Sequence, residues 1–270
     1  MNQSIFSSDF KPEPYWWDRT PRPVPLDASL PDQVDVVIVG SGYTGLNAGL
    51  VTARAGLSTV IVDAEQPGWG CSSRNGGQVS GEVKPSYKAL ARLHGPAQAY
   101  AIIAEARSAL RWVGDFINDE GIDCDYRHCG RFHAAHSAQQ YTTQKQEFKS
   151  QVKGLERNGH LVDKTQLKNE VDSPFYHGGL VINQHASLDP ARYHQGLYER
   201  ALASECHVVD NCRVQNIVRN TDGFNLSTAK GQIRAGKVIV ATSGYTGSAT
   251  PWHQRRIIPI GSYMLATEML

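Results

Sequence analysis

Apolar and polar positions along the chain follow three rhythms in quick succession between Val34 and Asp63. Val34-Asp35-Val36-Val37-Ile38-Val39 is a nearly unbroken run of β-branched side chains, which predicts a buried strand. The turn Gly40-Ser41-Gly42-Tyr43-Thr44-Gly45 follows, then a helical stretch to Gly56 with Leu46, Leu50, Val51 and Ala53 near one face. A second apolar run, Thr59-Val60-Ile61-Val62, is closed by Asp63 and completes a βαβ unit. From Tyr87 to Asp119 the period becomes helical again, with Leu110, Val113, Phe116 and Ile117 on one face and Trp112 beside it, all read as core. A strand is expected around Gly130 to Ala135, a solvated helix from about Ser137 to Arg157, a short helix from Asp163 to Glu170 and a short strand at Leu180-Val181-Ile182. Asp189-Pro190 reads as an N-cap followed by proline at the first helical position, so a helix is predicted from Pro190 to about Ser204. Strands are expected at His207-Val208-Val209, Val214 to Arg219, Phe224 to Thr228 and Val238 to Ala241, with turns at Thr221-Asp222-Gly223 and Lys230-Gly231.

The βαβ unit has the spacing of a dinucleotide site. Gly40 permits the tight turn out of the strand, Gly42 lets backbone approach a pyrophosphate, and Gly45 lets helix and strand pack closely, so phosphate meets the positive end of the helix dipole. Asp63, 23 positions after Gly40, is placed to accept hydrogen bonds from ribose hydroxyls and would repel a ribose 2′-phosphate, which disfavours NADP. FAD and NAD are equally allowed by this fingerprint, and a ligand-free strand-to-helix connection is the plain alternative. A second loop, Gly68-Trp69-Gly70-Cys71-Ser72-Ser73-Arg74-Asn75-Gly76-Gly77-Gln78, suits no regular element. Its glycines expose N–H groups, Ser72 and Ser73 add hydroxyls and Arg74 a fixed cation, a set suited to an electron-rich ring or a carboxylate. A surface ion pair is the structural alternative for Arg74.

Composition narrows the partners. Lys+Arg 27 against Asp+Glu 26 leaves a net charge of +1 without a block of like charge, so a small molecule is favoured over nucleic acid or an anionic membrane. The odd set Cys71, Cys124, Cys129, Cys206 and Cys212 has no CxxC pair, which argues against a disulfide framework or zinc ribbon and fits a reducing cytoplasm. The ten histidines show no HxH or HExxH spacing, so no metal is expected; His185 and His253 read as satisfied structural groups. GxSxG and Walker signatures are absent. Met1 to Pro14 lacks a signal-peptide apolar core and no run is long enough to span a bilayer, so a soluble, cytoplasmic protein is expected. Residues 1 to 33, with Tyr15-Trp16-Trp17 and Pro21, Pro23, Pro25 and Pro31, read as an extended arm in which Trp16 and Trp17 cover apolar surface or act as a lid or partner contact.

Five blocks of sequence together resemble FAD-dependent oxidoreductases of the D-amino-acid oxidase (DAO) family, most closely its gamma-glutamylputrescine oxidoreductase group. They are Tyr15-Trp16 with the proline-rich arm; Val36 to Leu46; Gly68 to Gln78; Leu188-Asp189-Pro190-Ala191-Arg192-Tyr193; and Val240 to Thr246 with Pro259-Ile260-Gly261-Ser262-Tyr263-Met264. The resemblance implies an α/β fold: a Rossmann-like FAD-binding domain, βαβ plus β-meander, at 34–84 and 186–250, with an α+β substrate domain inserted at 85–185 and continued at 251–270. It implies FAD bound by Gly40, Gly42, Tyr43, Thr44, Gly45, Asp63, Ala64, Gly70, Cys71, Ser72, Ser73, Arg74, Asn75, Gly76, Gly77, Gln78, Val214, Ala241, Thr242 and Gly244. In this picture Gly70 to Gln78 lies beside the flavin, Arg74 and the amides near Gly76 and Gly77 stabilise its reduced form, and Val214 meets the adenine side. Cys71 and Ser73 stand where the group more often has alanine and glycine. Family members run on past the position of Glu268-Met269-Leu270, so an incomplete substrate domain and an N-terminal fragment are expected, with catalytic residues unassigned. The function implied is oxidation of an amine or amino acid by hydride transfer to flavin, oxygen or an electron carrier being the acceptor. The alternatives are a non-catalytic remnant that keeps nucleotide binding and an NAD-linked dehydrogenase.

Overall fold

A computed structural model describes residues 6–24 and 28–267. The readings made at Pro25, over residues 1–5 of the signal-peptide argument, and at Glu268-Met269-Leu270 lie outside them. The described residues up to Gly76 and from Asp189 onward form one compact unit, and Gly77–Leu188 form a second.

The first unit begins with a short helix, α1 (Tyr15–Arg19), where an extended arm was expected. Then come β1 (Gln33–Val39), α2 (Tyr43–Arg54) and β2 (Thr59–Val62). The two strands pair in parallel, from Val36 opposite Thr59 to Val39 opposite Val62. Val36, Val37, Ile38, Val60, Ile61 and Val62 are all buried, as a parallel strand covered on both faces requires. Helix α2 turns Gly45, Leu46, Gly49 and Leu50 inward. Val51, expected on that face, is 68% exposed, because the buried stripe runs through i, i+4 pairs and Val51 falls beside it.

The second unit has β3 (Gln78–Ser80), α3 (Tyr87–His94), α4 (Pro96–Asp119), β4 (Arg127–His128), β5 (Arg131–Ala134), α5 (Ala138–Lys149), β6 (Gly159–Asp163), β7 (Gly178–Ile182) and β8 (His185–Ser187). They make two antiparallel sheets, ordered β3-β8-β4 and β5-β7-β6. The helix expected from Tyr87 to Asp119 is two helices. Gly95 at φ +83° ends the first and Pro96 opens the second, since proline has no N–H to continue the ladder. On α4, Leu110 and Ile117 are buried while Trp112 is exposed and stacks on Phe116 with ring centroids 5.0 Å apart. Helix α5 is capped by the Ser137 hydroxyl, which accepts from Gln140 N, and it stops well before Arg157 because it buries no side chain that would extend it. The helix expected at Asp163 to Glu170 is a 3₁₀ segment, Lys164–Asn169.

The chain then returns to the first unit through α6 (Pro190–Ala203), whose N-cap Asp189 accepts from Ala191 N and Arg192 N at 2.9 and 3.1 Å. Strands β9 (His207–Val209), β10 (Val214–Asn220), β11 (Gly223–Thr228) and β12 (Gly231–Val240) and a last helical turn, α7 (Pro251–Gln254), follow. The six-stranded sheet is ordered β10-β11-β12-β1-β2-β9. Strand β12 is longer than the Val238 to Ala241 expected: its first half closes the antiparallel meander with β11, and its second half runs parallel to β1 from Arg234 to Val240. One strand thus joins meander and βαβ unit into a Rossmann-like α/β domain. After α7, 258–267, expected to continue the substrate domain, form no regular element, and Ile258, Ile260, Tyr263 and Leu265 are 84 to 94% exposed. A strand needs a neighbour to take its backbone hydrogen bonds, and no described strand pairs there.

Candidate functional site

The parallel pairing of β12, β1 and β2 brings the ends of three strands to the start of α2. At Gly40, φ is +107°, and a methyl group there would lie 2.7 Å from the Ala241 carbonyl oxygen. At Gly45 it would lie 1.8 Å from the Gly40 carbonyl oxygen, so the helix can start against the strand only without a side chain. Asp63 sits at the end of β2, and its Oδ2 accepts from Ser41 N at 2.7 Å and Ser41 Oγ at 2.6 Å. Its Oδ1 accepts from Glu65 N at 3.0 Å. The acidic residue therefore fixes the turn itself, a task that the fingerprint alone does not reveal. Ala64 follows it between the two anchor points.

The Gly68 to Gly76 loop closes on the same helix. Ser72 Oγ accepts the Tyr43 N–H at 3.2 Å, on the first residue of α2, and a methyl group on Gly42 would come within 2.9 Å of it. Cys71, Ser72 and Ser73 form one 3₁₀ turn, and the Asn75 amide donates to Cys71 O and Ser72 O, each at 3.2 Å, and to Tyr43 Oη at 3.3 Å. Ser73 is fully buried and is absent from the positive-φ residues, so serine fits there without backbone strain. Its hydroxyl donates to the Gly68 carbonyl and accepts from Trp17 Nε1 at 2.8 Å. Arg74 makes no ion pair with a described residue; its guanidinium lies 4.7 Å from the Trp69 ring and 5.6 Å from that of Trp17. Gly70 packs on Tyr245, whose ring meets Trp69 edge-on at 5.9 Å.

Helix α6 supplies a buried floor that sequence reasoning missed. His194 is fully buried, and its Nε2 lies 2.8 Å from the Ser41 carbonyl oxygen, which fixes the Nε2–H tautomer. Burial pushes its pKa down to about 4, aided by nearby Arg22 and opposed by the Ser41 carbonyl and Asp63. Arg22 packs over the Trp17 ring at 5.7 Å, and its guanidinium nitrogens are buried with no hydrogen-bond partner among the described residues. Burial also lowers its pKa, against the pull of Asp189 and Tyr43. A methyl group on Gly68 would strike both Arg22 and the His194 ring. Neither residue belongs to a motif; the only trace of Arg22 is its place in Thr20-Pro21-Arg22-Pro23.

Other expected site residues are placed by the fold. Val214 opens β10, two residues after Cys212, whose amide donates to the Asp63 carbonyl at 2.6 Å. Ala241 N donates to Val39 O at 2.9 Å, Thr242 Oγ1 pairs with Thr246 Oγ1 at 2.7 Å, and Gly244 lies in the 3₁₀ turn Ser243–Tyr245. Thr44 is in the first turn of α2. Gly77 and Gln78 open the second unit, Gln78 in β3. In that unit a cavity of about 210 Å³ lies between Glu82, Arg107, Arg111 and Asn183. His185, in the same unit, is buried, and its Nε2 has no hydrogen-bond partner among the described residues; burial lowers its pKa, opposed by a hydrogen bond with the Ala186 backbone, and His253 is exposed and stacks edge-on with Trp252. Among the described residues no group of His, Cys, Asp and Glu has the makings of a metal site, and no helix is long and apolar enough to cross a membrane.

The family model "FAD dependent oxidoreductase", DAO, matches residues 35–270. The chain belongs to the DAO family. Within it, the chain is 31% identical over 241 residues to gamma-glutamylputrescine oxidoreductase of Escherichia coli, covering 87% of this chain and 55% of that protein. It is 25% identical over 272 residues to the probable oxidoreductase OrdL of Rhizobium meliloti, covering 98% of this chain and 62% of that protein. Among solved structures it shares the fold of glycine oxidase from Geobacillus kaustophilus (TM-score 0.69, 17% identity, 82% of this chain and 58% of that one). L-amino acid deaminase from Proteus vulgaris is similar too (TM-score 0.64, 20% identity, 82% and 50%). The chain thus spans between half and about three fifths of the length of these proteins.

The site's residues fit the dinucleotide that the family name requires. Side chains are excluded where backbone must approach, the Tyr43 amide that opens α2 faces the loop hydroxyl of Ser72, and a buried cation whose donors have no partner among the described residues, Arg22, lies beside Gly68.

Proposed function

We propose that the first unit binds FAD and that the protein oxidises an amine or amino acid. The observation that carries this reading is the convergence on the N-terminus of α2 of the Gly40–Gly45 turn, the Ser72 hydroxyl and, at the end of the neighbouring strand, Asp63. Gly42, Tyr43, Thr44, Gly45 and Ser72 would hold the pyrophosphate, and Asp63 the adenosine ribose. Because Oδ2 of Asp63 already takes two donors from Ser41, the ribose would be received through Oδ1, which has one lone pair committed to Glu65. Val214 would line the adenine side, and Gly70 to Gly76 with Ala241, Thr242 and Gly244 would flank the ring system. The nucleotide domain would be the first unit, which breaks at Gly76 and resumes at Asp189 where 84 and 186 were expected, and the inserted residues would contribute to substrate binding.

When bound, FAD would supply the redox chemistry, the two-electron oxidation of the carbon that bears the amine to an imine that water can hydrolyse. The chain's own residues orient the cofactor, keep water from it and place charge beside it. Arg74, with its guanidinium near the rings of Trp17 and Trp69, would be a fixed cation for that purpose. The substrate favoured is a γ-glutamylated diamine or a small amino acid, from the names of the relatives above, with oxygen or an electron carrier as acceptor. A soluble, cytoplasmic protein fits such a reaction.

The test is an anaerobic titration of the chain with FAD and then with γ-glutamylputrescine, glycine and other amines while visible absorption is followed. Bleaching by one of them is expected. A yellow protein that no amine bleaches would mean binding without turnover, and a colourless protein that binds NADH would mean a nicotinamide-linked enzyme.

A further inference from the structure

The aromatic pair of α1 does more than cover apolar surface. Trp16 Nε1 donates to the Asn75 carbonyl at 2.9 Å and Trp17 Nε1 to Ser73 Oγ at 2.8 Å, so adjacent indoles reach over 50 residues along the chain to hold alternate positions of one loop. Rings and guanidinium groups alternate behind them: Arg22 on Trp17 at 5.7 Å, Trp17 on Arg74 at 5.6 Å, Arg74 on Trp69 at 4.7 Å and Trp69 on Tyr245 at 5.9 Å. From the held residues the contacts continue to α2. The Asn75 side chain reaches Tyr43 Oη, and Ser72, between Cys71 and Ser73 in the same 3₁₀ turn, accepts the Tyr43 N–H.

We propose that Trp16 and Trp17 are positioning residues for the cofactor: they hold the loop 71–75 so that the Ser72 hydroxyl stays on the opening amide of α2, where a pyrophosphate is to be received. The inference rests on the FAD reading and deepens it. Without the clamp, the Gly68 to Gly76 loop would have to be ordered when the ligand binds, at a cost in backbone entropy that the native arm has already met. Ring and N–H have separable roles. Trp17→Phe keeps a face for Arg74 and Arg22 but cannot donate to Ser73, whereas Trp17→Ala removes both contacts.

The experiment compares the full chain with Trp17→Phe and Trp17→Ala by hydrogen exchange without ligand, and by binding of FAD, ADP and adenosine. Exchange in a peptide covering 68–76 should rise in both variants while that covering 59–63 stays protected, which also reports that the variants are folded. FAD affinity should fall about fivefold for Trp17→Phe, the worth of one hydrogen bond, and roughly tenfold or more for Trp17→Ala. ADP should lose the same factor as FAD, and adenosine, which has no phosphate, should lose none. Unchanged exchange at 68–76 would overturn the clamp. Faster exchange with unchanged FAD and ADP affinity, or an equal loss for adenosine, would overturn the positioning role. If the unaltered chain bound neither FAD nor ADP, the FAD reading itself would fail and the positioning role with it, whereas faster exchange would still show that the indoles hold the loop.

Discussion

Replacing His194 by glutamine should remove a defined part of the protein's acid sensitivity. The imidazole is fully buried and donates from Nε2 to the Ser41 carbonyl, so folding selects its neutral form and depresses its pKa from 6.5 to about 4. A depressed histidine pKa means that the unfolded chain binds the proton more readily. The stability associated with the neutral ring is therefore complete above pH 6.5 and is lost as the pH falls towards the folded value. At about 1.4 kcal/mol per pKa unit, the loss from this group between pH 7.5 and pH 4.5 is about 2–3 kcal/mol. Glutamine can still donate to Ser41 but does not titrate. The assay is urea unfolding of both proteins at the two pH values, which cancels the carboxylates common to both. Wild type should lose about 2–3 kcal/mol more than His194→Gln. Equal losses would refute the assignment of a neutral, buried ring beneath the glycine turn.

Three further outcomes follow from the same geometry. Gly45→Ala puts a methyl group 1.8 Å from the Gly40 carbonyl oxygen and should cost about 3 kcal/mol or more, read as a lowered urea midpoint. Ser73→Ala leaves Trp17 Nε1 and the Gly68 carbonyl without their shared partner and should cost about 1–3 kcal/mol, again with urea as the measure. Under native conditions a thiol reagent followed by mass spectrometry should label the exposed Cys71 and Cys129, and spare buried Cys124, Cys212 and Cys206, whose thiol pKa burial raises to about 12.

The parts of the fold legible in the sequence were those where one local pattern decides the outcome. β2 and β9 fall on the residues read, and α6 ends within a residue of its reading, because uninterrupted β-branched runs and the Asp189-Pro190 cap leave few alternatives. Where two signals competed, the weaker-looking one won at Gly95-Pro96: a helical period ran through both residues, yet a missing N–H cannot be recovered by packing. Strand β12 was read only at its apolar end, because Gly231 to Lys237 owes its extended form to the strands on either side. The site divides in the same way. Gly40, Gly45 and Asp63 are legible because backbone approach and strand ends dictate residue type. His194, Arg22 and the two indole N–H groups act across long sequence separations, and no spacing rule connects Trp17 with Ser73 or His194 with Ser41.

The central claim is that the turn at Gly40 to Gly45, closed by Asp63 and faced by Ser72, receives FAD. Equilibrium titration of the purified chain with FAD, monitored by flavin fluorescence and repeated with NADH, tests it most directly. Saturable binding of one FAD per chain, weakened roughly tenfold or more by Asp63→Ala and not competed by NADH, is predicted. Binding of NADH in preference to FAD, or FAD binding indifferent to Asp63, would contradict it.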